Sequence, residues 1–232
     1  TDDTPGLAVV LGGTGGIGAA LADGLRQQGH TVLAIGRRTA PALDYADDST
    51  VAAVAQFVSA ELERTGLPLR RLVVATGILH EGAVQPERSW THLDAAALQR
   101  LFLVNTIGPA LVMRHCLPLL PRKGRSVAAF ISARVGSIGD NRLGGWYGYR
   151  ASKAALNQLV HTAAIELARR CPQALCVALH PGTVDTALSQ PFAKTGLEVR
   201  PPTVAAQELL QVLDTLPEGS NGGFFDHHGT TV

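Results

Sequence analysis

The stretch LAVVLGGTGGIGAALADGLRQQG, residues 7–29, is an apolar run that enters a glycine-rich turn and continues into a helical pattern. Gly12, Gly16 and Gly18 form the spacing G-x-x-x-G-x-G at that turn. Glycine lets the backbone approach a pyrophosphate closely, and the N-terminus of the following helix offers free N–H groups and a positive dipole end. Glycine turns also serve close packing, but the position on the first strand-to-helix turn favours a phosphate site.

Strand and helix patterns alternate from this turn to the end of the chain. Apolar runs predict about seven strands, at 7–11, 30–36, 42–48, 70–76, 125–132, 174–180 and 222–228. Helices are predicted at 19–29, 49–66, 94–120, 149–170 and 203–216, with Ser49 as the N-cap of the second. Continuously apolar strands between helices indicate an α/β Rossmann fold, a doubly wound parallel sheet with helices on both faces. No linker or repeat divides the chain, so residues 1–232 are predicted to form a single domain.

Composition and charge argue against several classes of protein. Hydrophobic residues make up 46% of the chain, and the formal net charge of +1 includes no block of like charges. This balance argues against nucleic-acid or membrane-surface binding, and no apolar run approaches the ~20 residues of a membrane span. The three cysteines lack metal-ligand spacing and predict free thiols in a reducing cytoplasm. His227 and His228 have no spaced partners either, so no metal site is expected.

The end of the second predicted strand bears on which dinucleotide binds. An acidic residue there would hold the adenosine ribose and favour NAD, but this strand ends in IGRR, with Arg37 and Arg38. A guanidinium pairs well with a phosphate, so NADP(H) is favoured over NAD(H), although a solvated basic turn would have the same sequence. Asp44 is a further candidate, either for the adenine edge or as a loop cap.

A tyrosine and a lysine four positions apart form the candidate catalytic pair. Tyr149 and Lys153 fall in a helical stretch and lie one turn apart on one face, whereas Tyr147 lies on another. Lysine is scarce here, with only three among the twenty basic residues. A nearby ammonium stabilises a phenolate, so we expect the pKa of Tyr149 to fall from its ordinary value of about 10 toward neutrality.

Together these motifs resemble the short-chain dehydrogenase/reductase family over essentially the whole chain. The matching pieces are GGTGGIG, VVATG (where the family usually has N-N-A-G), VNTIG, YRASKAALN and HPGTVDT, in the family's order and close to its spacing. Residues 134–157 and 222–230 resemble its C-factor-like and Sniffer-like carbonyl reductase branch more closely still.

The resemblance implies roles that local patterns leave unassigned. Tyr149 would be the general acid for carbonyl reduction, Lys153 would lower its pKa and bind the nicotinamide ribose, and Asn105 would hold a water for proton relay. The implied cofactor contacts are the turn residues Gly12, Thr14, Gly16, Ile17 and Gly18, then Thr76 and Gly77, and the loop residues Pro181, Gly182, Val184 and Thr186.

One position departs from the family's pattern. The catalytic serine usually stands three residues before a glycine, and counting back from Gly136 that position is Ala133. Ser132 is one residue earlier, and one step along a strand turns a side chain to the opposite face. Either the loop is shifted and Ser132 serves, or the substrate carbonyl lacks that hydrogen bond, with Ser137 a more distant candidate.

The sequence says less about the residues that would contact the substrate. Residues 79–90 and 137–146 should flank the nicotinamide end, and residues 187–200 could supply a third wall. They offer His80, Trp90, Asn141, Arg142, Leu143, Trp146 and Phe192, which suit a hydrophobic ketone, aldehyde or quinone but could equally pack the loops.

Two functions are consistent with the sequence. The first is an NADPH-dependent reductase of a small carbonyl compound, which the intact Tyr149, Lys153 and Asn105 favour. The second is an NADP-binding signalling or scaffold protein with little turnover, toward which Ala133 points. In the family, the helices at 93–120 and 149–170 often pair between subunits, so the resemblance implies a homodimer or homotetramer, with a monomer as the alternative.

Overall fold

Six parallel strands form the central sheet of the computed structural model, which describes residues 4–189 and 199–232. The eight strands in chain order are β1 (Leu7–Leu11), β2 (Thr31–Ile35), β3 (Leu69–Val74), β4 (Ser126–Ile131), β5 (Ala174–His180), β6 (Thr183–Val184), β7 (Val199–Arg200) and β8 (Phe224–Asp226). The central sheet has the order β2-β1-β3-β4-β5-β8, and β6 pairs separately with β7. The chain moves from β1 to β2 on one side and then to β3 on the other. The carboxyl ends of β1 and β3 therefore form the switch point at which doubly wound sheets bind ligands.

Helices cover both faces of this sheet, as the alternating pattern predicts. They are α1 (Gly16–Gln27), α2 (Asp48–Thr65), α3 (Ala95–Phe102), α4 (Gly108–Cys116), α5 (Tyr147–Arg170) and α6 (Pro202–Thr215). Val9 and Leu11 of β1 pack into the core shared with α2, α4 and α5, whereas Ala8 and Val10 pack into the core shared with α1 and α6. Successive strand residues point to opposite faces, so one apolar strand supplies both cores.

The segment 42–48 is not the strand that its sequence suggests, so the central sheet has six strands rather than about seven. Asp44 accepts a hydrogen bond from Ala46 N–H at 2.9 Å, which holds a turn there. The N-cap of α2 is Asp47, whose carboxylate accepts from Ser49 N–H at 3.0 Å, so the predicted Ser49 cap is wrong by two residues. Aspartate and serine are both good caps, and the turn at Asp44 brings Asp47 to the helix start.

The helix predicted over 94–120 is divided. α3 passes through a π-helical turn (Leu103–Ile107) into α4, and a 3-10 turn (Leu117–Leu119) follows. Length and composition alone would let Ala95–Leu119 cross a membrane, but α4 packs against α2 and α5 and contributes Val112 to the core. That is the packing of a core helix. The wider π turn places Asn105 inside the protein.

Candidate active site

Tyr149 and Lys153 lie buried on the inner face of α5, with 7% and 2% of their surfaces exposed. The Lys153 ammonium lies 5.9 Å from the centroid of the Tyr149 ring and donates a hydrogen bond to Ile131 O at 2.9 Å. Four helical positions bring the two side chains to one face. The exit of β4 therefore anchors the lysine beside the tyrosine.

Burial sets the protonation of both groups. It raises the pKa of Tyr149 above its ordinary value, and it lowers the pKa of Lys153 to about 8. In each case the charged form loses its water shell without full compensation. The predicted lowering of the Tyr149 pKa is therefore wrong in direction for this structure. The sequence spacing indicated the neighbouring ammonium but not the depth of both side chains.

Glu87, which the sequence patterns did not single out, holds the N-terminus of α5. Both its carboxylate oxygens accept from Gly148 N–H at 3.2 Å, and its carbonyl accepts from Trp146 N–H at 2.6 Å. Trp146 adopts the left-handed conformation (φ 54°), which for a non-glycine residue costs roughly 1–2 kcal/mol. These hydrogen bonds offset that cost and fix the turn immediately before Tyr149. No local motif marks Glu87, because its partners are about sixty residues away.

Asn105 ties the exit of β3 to α5. Its amide makes two hydrogen bonds to the backbone of Ile78, accepting from N–H and donating to C=O, both at 2.9 Å. It also donates to Ser152 Oγ at 3.1 Å. A Cβ added to Gly77 would lie 3.3 Å from Lys153 Nζ and 3.4 Å from Asn105 Oδ1. The structure thus brings the predicted residues Asn105, Gly77 and Lys153 together.

Ser132 and Ala133 follow β4 and make different contacts. The Ser132 hydroxyl donates to Asn157 Oδ1 at 2.6 Å. Ala133 has an extended backbone (φ −151°, ψ 144°) and packs with Tyr149 in a small apolar cluster. Tyr149, Lys153 and Asn157 are successive i, i+4 positions of α5, so this helix face runs along the β4 exit from Ala133 to Ser132. The Ala133 methyl group packs in the apolar cluster of Tyr149, while the Ser132 hydroxyl is bonded to Asn157.

The glycine-rich turn has the shape that a pyrophosphate needs. Gly12 has φ +82°, which favours glycine, and a Cβ on Gly18 would collide with the carbonyl of Gly12. α1 begins at Gly16 with Gly15 as its N-cap, a residue with no side chain to cap the first N–H groups. Gly18 N–H donates to Gly15 O at 3.0 Å, which leaves the N–H groups of Gly16 and Ile17 for an anion at the positive end of the helix. A Cβ on Gly16 would meet the Thr186 methyl at 3.3 Å, so the turn adjoins the loop after β5.

The residues at the exit of β2 lie on the surface near an acidic side chain. Arg37 and Arg38 are exposed, and Arg37 Nη1 lies 3.7 Å from Glu81 Oε1. Glu81 accepts a hydrogen bond at 2.7 Å from Arg100 Nε, which is a shorter ion pair than the one with Arg37. Asp44 is exposed, and its carboxylate accepts the hydrogen bond from Ala46 N–H that holds its own turn. Thr14 lies beside Gly36 at the same edge.

A cavity of about 1180 Å³ opens at the carboxyl edge of the sheet and contains Tyr149 and Lys153. Of the other predicted residues it is lined by Ile17, Thr76, Gly77, Ser132, Arg142, Leu143, Trp146, Pro181, Gly182, Val184 and Thr186. Further lining comes from residues that sequence reasoning missed, among them Leu79, Glu87, Arg88 and Leu188. His80 instead contacts Ala187 O at 3.1 Å, and Phe192 lies outside the described residues. Within residues 4–189 and 199–232, no group of three His, Cys, Asp or Glu side chains could hold a metal ion.

Comparisons with known proteins cover most of the chain. The family model described as short chain dehydrogenase matches residues 6–196. C-signal of Myxococcus xanthus is 36% identical over 140 residues, which is 60% of this chain and 80% of that protein. The 1-hydroxy-2-glutathionyl-2-methyl-3-butene dehydrogenase of Rhodococcus sp. (strain AD45) is 30% identical over 233 residues, 96% of each chain. The crystal structure of NADPH-bound carbonyl reductase from chicken fatty liver has a TM-score of 0.83 at 24% identity, with 98% of each chain covered.

Proposed function

This chain belongs to the short-chain dehydrogenase family and is therefore an oxidoreductase, and we propose that it reduces a small carbonyl compound with NADPH. One observation carries the proposal. Tyr149 and Lys153 lie buried side by side in a cavity that reaches from the loop after β5 to the substrate-side loops. A buried proton donor and a fixed ammonium in one cavity suit proton transfer to a carbonyl oxygen.

The glycine turn fits a dinucleotide. A Cβ on Gly18 would fill the space against Gly12, and the uncapped start of α1 supplies donors for a pyrophosphate. We assign Gly12, Thr14, Gly16, Ile17 and Gly18 to the pyrophosphate side. Thr76, Gly77, Lys153, Pro181, Gly182, Val184 and Thr186 are assigned to the nicotinamide side. A bound nicotinamide would supply the hydride.

Tyr149 acts in this proposal as the general acid. Its raised pKa keeps the phenol protonated at neutral pH, which is the form that donates a proton to the carbonyl oxygen during reduction. Lys153, with a pKa of about 8, is mainly an ammonium at pH 7, where its charge stabilises the phenolate left by that transfer. Asn105 holds the β3 exit beside Lys153 and, in the proposal, takes part in returning the proton.

NADP(H) is proposed in preference to NAD(H) because Arg37 and Arg38 stand at the β2 exit, where a 2′-phosphate would lie. Glu81 makes its short ion pair with Arg100, at 2.7 Å, and lies 3.7 Å from the exposed Arg37, so only a long surface ion pair competes with a phosphate for Arg37. The chicken structure that this fold resembles contains NADPH. We further propose residues 1–232 as one NAD(P)-binding domain, a cytoplasmic location, and a homodimer or homotetramer.

The test is NADPH oxidation by the purified protein against dicarbonyls, quinones and aryl ketones, with Tyr149→Phe beside it. Tyr147→Phe is the matched control, because it removes the same hydroxyl two residues away on the more exposed face of α5. Turnover by wild type and by Tyr147→Phe, together with its loss in Tyr149→Phe, supports the reductase. NADPH binding without turnover in any of the three proteins would instead favour an NADP-binding signalling or scaffold protein, the alternative that the name of the relative C-signal suggests.

A further inference from the structure

At the β4 exit, the residue packed beside Tyr149 is Ala133, whose side chain has no hydrogen-bond donor. Ala133 and Tyr149 are buried in one cluster with Leu79 and Leu101. Trp146, Val135, Leu188, Ile78 and Val84 pack around them. On this side of Tyr149, a substrate oxygen would meet the Ala133 methyl group and not a hydroxyl.

Ser132, the residue before Ala133, carries a hydroxyl that is already bonded to α5. Its Oγ donates its single proton to Asn157 Oδ1 at 2.6 Å, a short bond in a site that is 3% exposed at the serine. A hydroxyl has one proton to donate, so Ser132 cannot also donate to a carbonyl without breaking this bond. The bond ties the β4 exit to α5 two turns beyond Tyr149, which makes Ser132 a positioning residue.

We propose that the substrate oxygen receives a single protein hydrogen bond, from Tyr149, and that Ala133 thereby makes the enzyme selective for electron-poor carbonyl groups. This inference rests on the proposed reductase function. Hydride addition to the carbon places negative charge on the oxygen, and each preorganised donor stabilises that charge. With one donor removed, the substituents of the substrate must carry more of the charge. Simple alkyl and electron-rich aryl carbonyls should then react slowly.

Ring-substituted benzaldehydes measure this dependence directly. We would follow single-turnover NADPH oxidation for the para-nitro, unsubstituted and para-methoxy compounds, so that the hydride step itself is observed. In Ala133→Ser the new hydroxyl would stand beside Tyr149. The variant is expected to accelerate the para-methoxy compound by up to about 100-fold and the para-nitro compound much less. The ratio of the para-nitro rate to the para-methoxy rate should therefore be about tenfold or more smaller in Ala133→Ser than in wild type.

Ser132→Ala is the matched control, because it changes the adjacent residue by the same single oxygen atom. Its loss of the Asn157 bond should lower all three rates by one common factor and leave their ratio unchanged. Three results would overturn the inference: a wild-type ratio near one, an Ala133→Ser ratio equal to that of wild type, or a ratio that Ser132→Ala increases. The last result would identify Ser132 as the missing donor. If wild type binds NADPH but reduces neither the benzaldehydes nor the quinones, the proposed function fails instead.

Discussion

Replacing Lys153 by methionine should stabilise the protein while it abolishes activity. Burial lowers the pKa of Lys153 from 10.5 to about 8, so the folded state holds the ammonium at a cost of about 3 kcal/mol at pH 7. Methionine keeps the apolar stem but loses the hydrogen bond to Ile131 O, which is worth about 1–2 kcal/mol. The free energy of unfolding at pH 7 should therefore rise by about 1–2 kcal/mol, the difference between these two effects.

The pH dependence distinguishes this cause from ordinary packing. The unfolded chain binds the lysine proton more tightly than the folded one, so wild type gains stability as the pH rises from about 8 to 10.5. At pH 9.5 the cost of the charge has fallen by more than half, and the stability advantage of Lys153→Met should be close to zero. Urea unfolding at pH 7 and pH 9.5 measures both values.

Lys123→Met removes an exposed lysine and is the control for charge loss alone. It should change the free energy of unfolding by less than about 0.5 kcal/mol at both pH values. The reasoning is refuted if Lys153→Met is less stable than wild type at pH 7. The reasoning is refuted equally if Lys153→Met has the same stability advantage over wild type at pH 7 and at pH 9.5.

Three other expected outcomes follow from the same site. The rate of carbonyl reduction at saturating NADPH should be constant between pH 6 and 7 and should decline above about pH 8, where Lys153 loses its proton. A rate that still rises at pH 9 would contradict this role of Lys153. Gly18→Ala should weaken NADPH binding at least about tenfold in a fluorescence titration, because the added methyl group would collide with Gly12. Gly15→Ala is the control and should bind NADPH nearly as wild type does, because its methyl group meets nothing within 4 Å. Replacing Arg37 and Arg38 together by glutamate should raise KM for NADPH about tenfold or more and leave KM for NADH little changed, and equal changes in both would argue against a 2′-phosphate site.

Short-range patterns predicted most of the fold and part of the site. The apolar runs of β1, β3, β4 and β5 and the glycine turn after β1 appear where expected, because continuous burial and a tight turn need particular residue types locally. The i, i+4 spacing likewise placed Tyr149 and Lys153 on one face. The strand predicted for residues 42–48 was wrong. Its alternating residues resemble a strand, but the hydrogen bond from Ala46 N–H to the Asp44 side chain makes a turn more favourable.

The spacing of residues along the chain was therefore enough to predict the sheet, the glycine-rich turn after β1 and the proximity of tyrosine and lysine. It carried no information on how deeply that pair is buried, and the pKa of Tyr149 changes in the direction opposite to the one expected from the lysine alone. Nor did it reveal that Glu87 caps α5, or that Ser132 turns to Asn157 and leaves Ala133 beside the tyrosine. These features depend on contacts between segments far apart in sequence and on the exclusion of water between them. Both arise only when the loops pack against the carboxyl edge of the sheet.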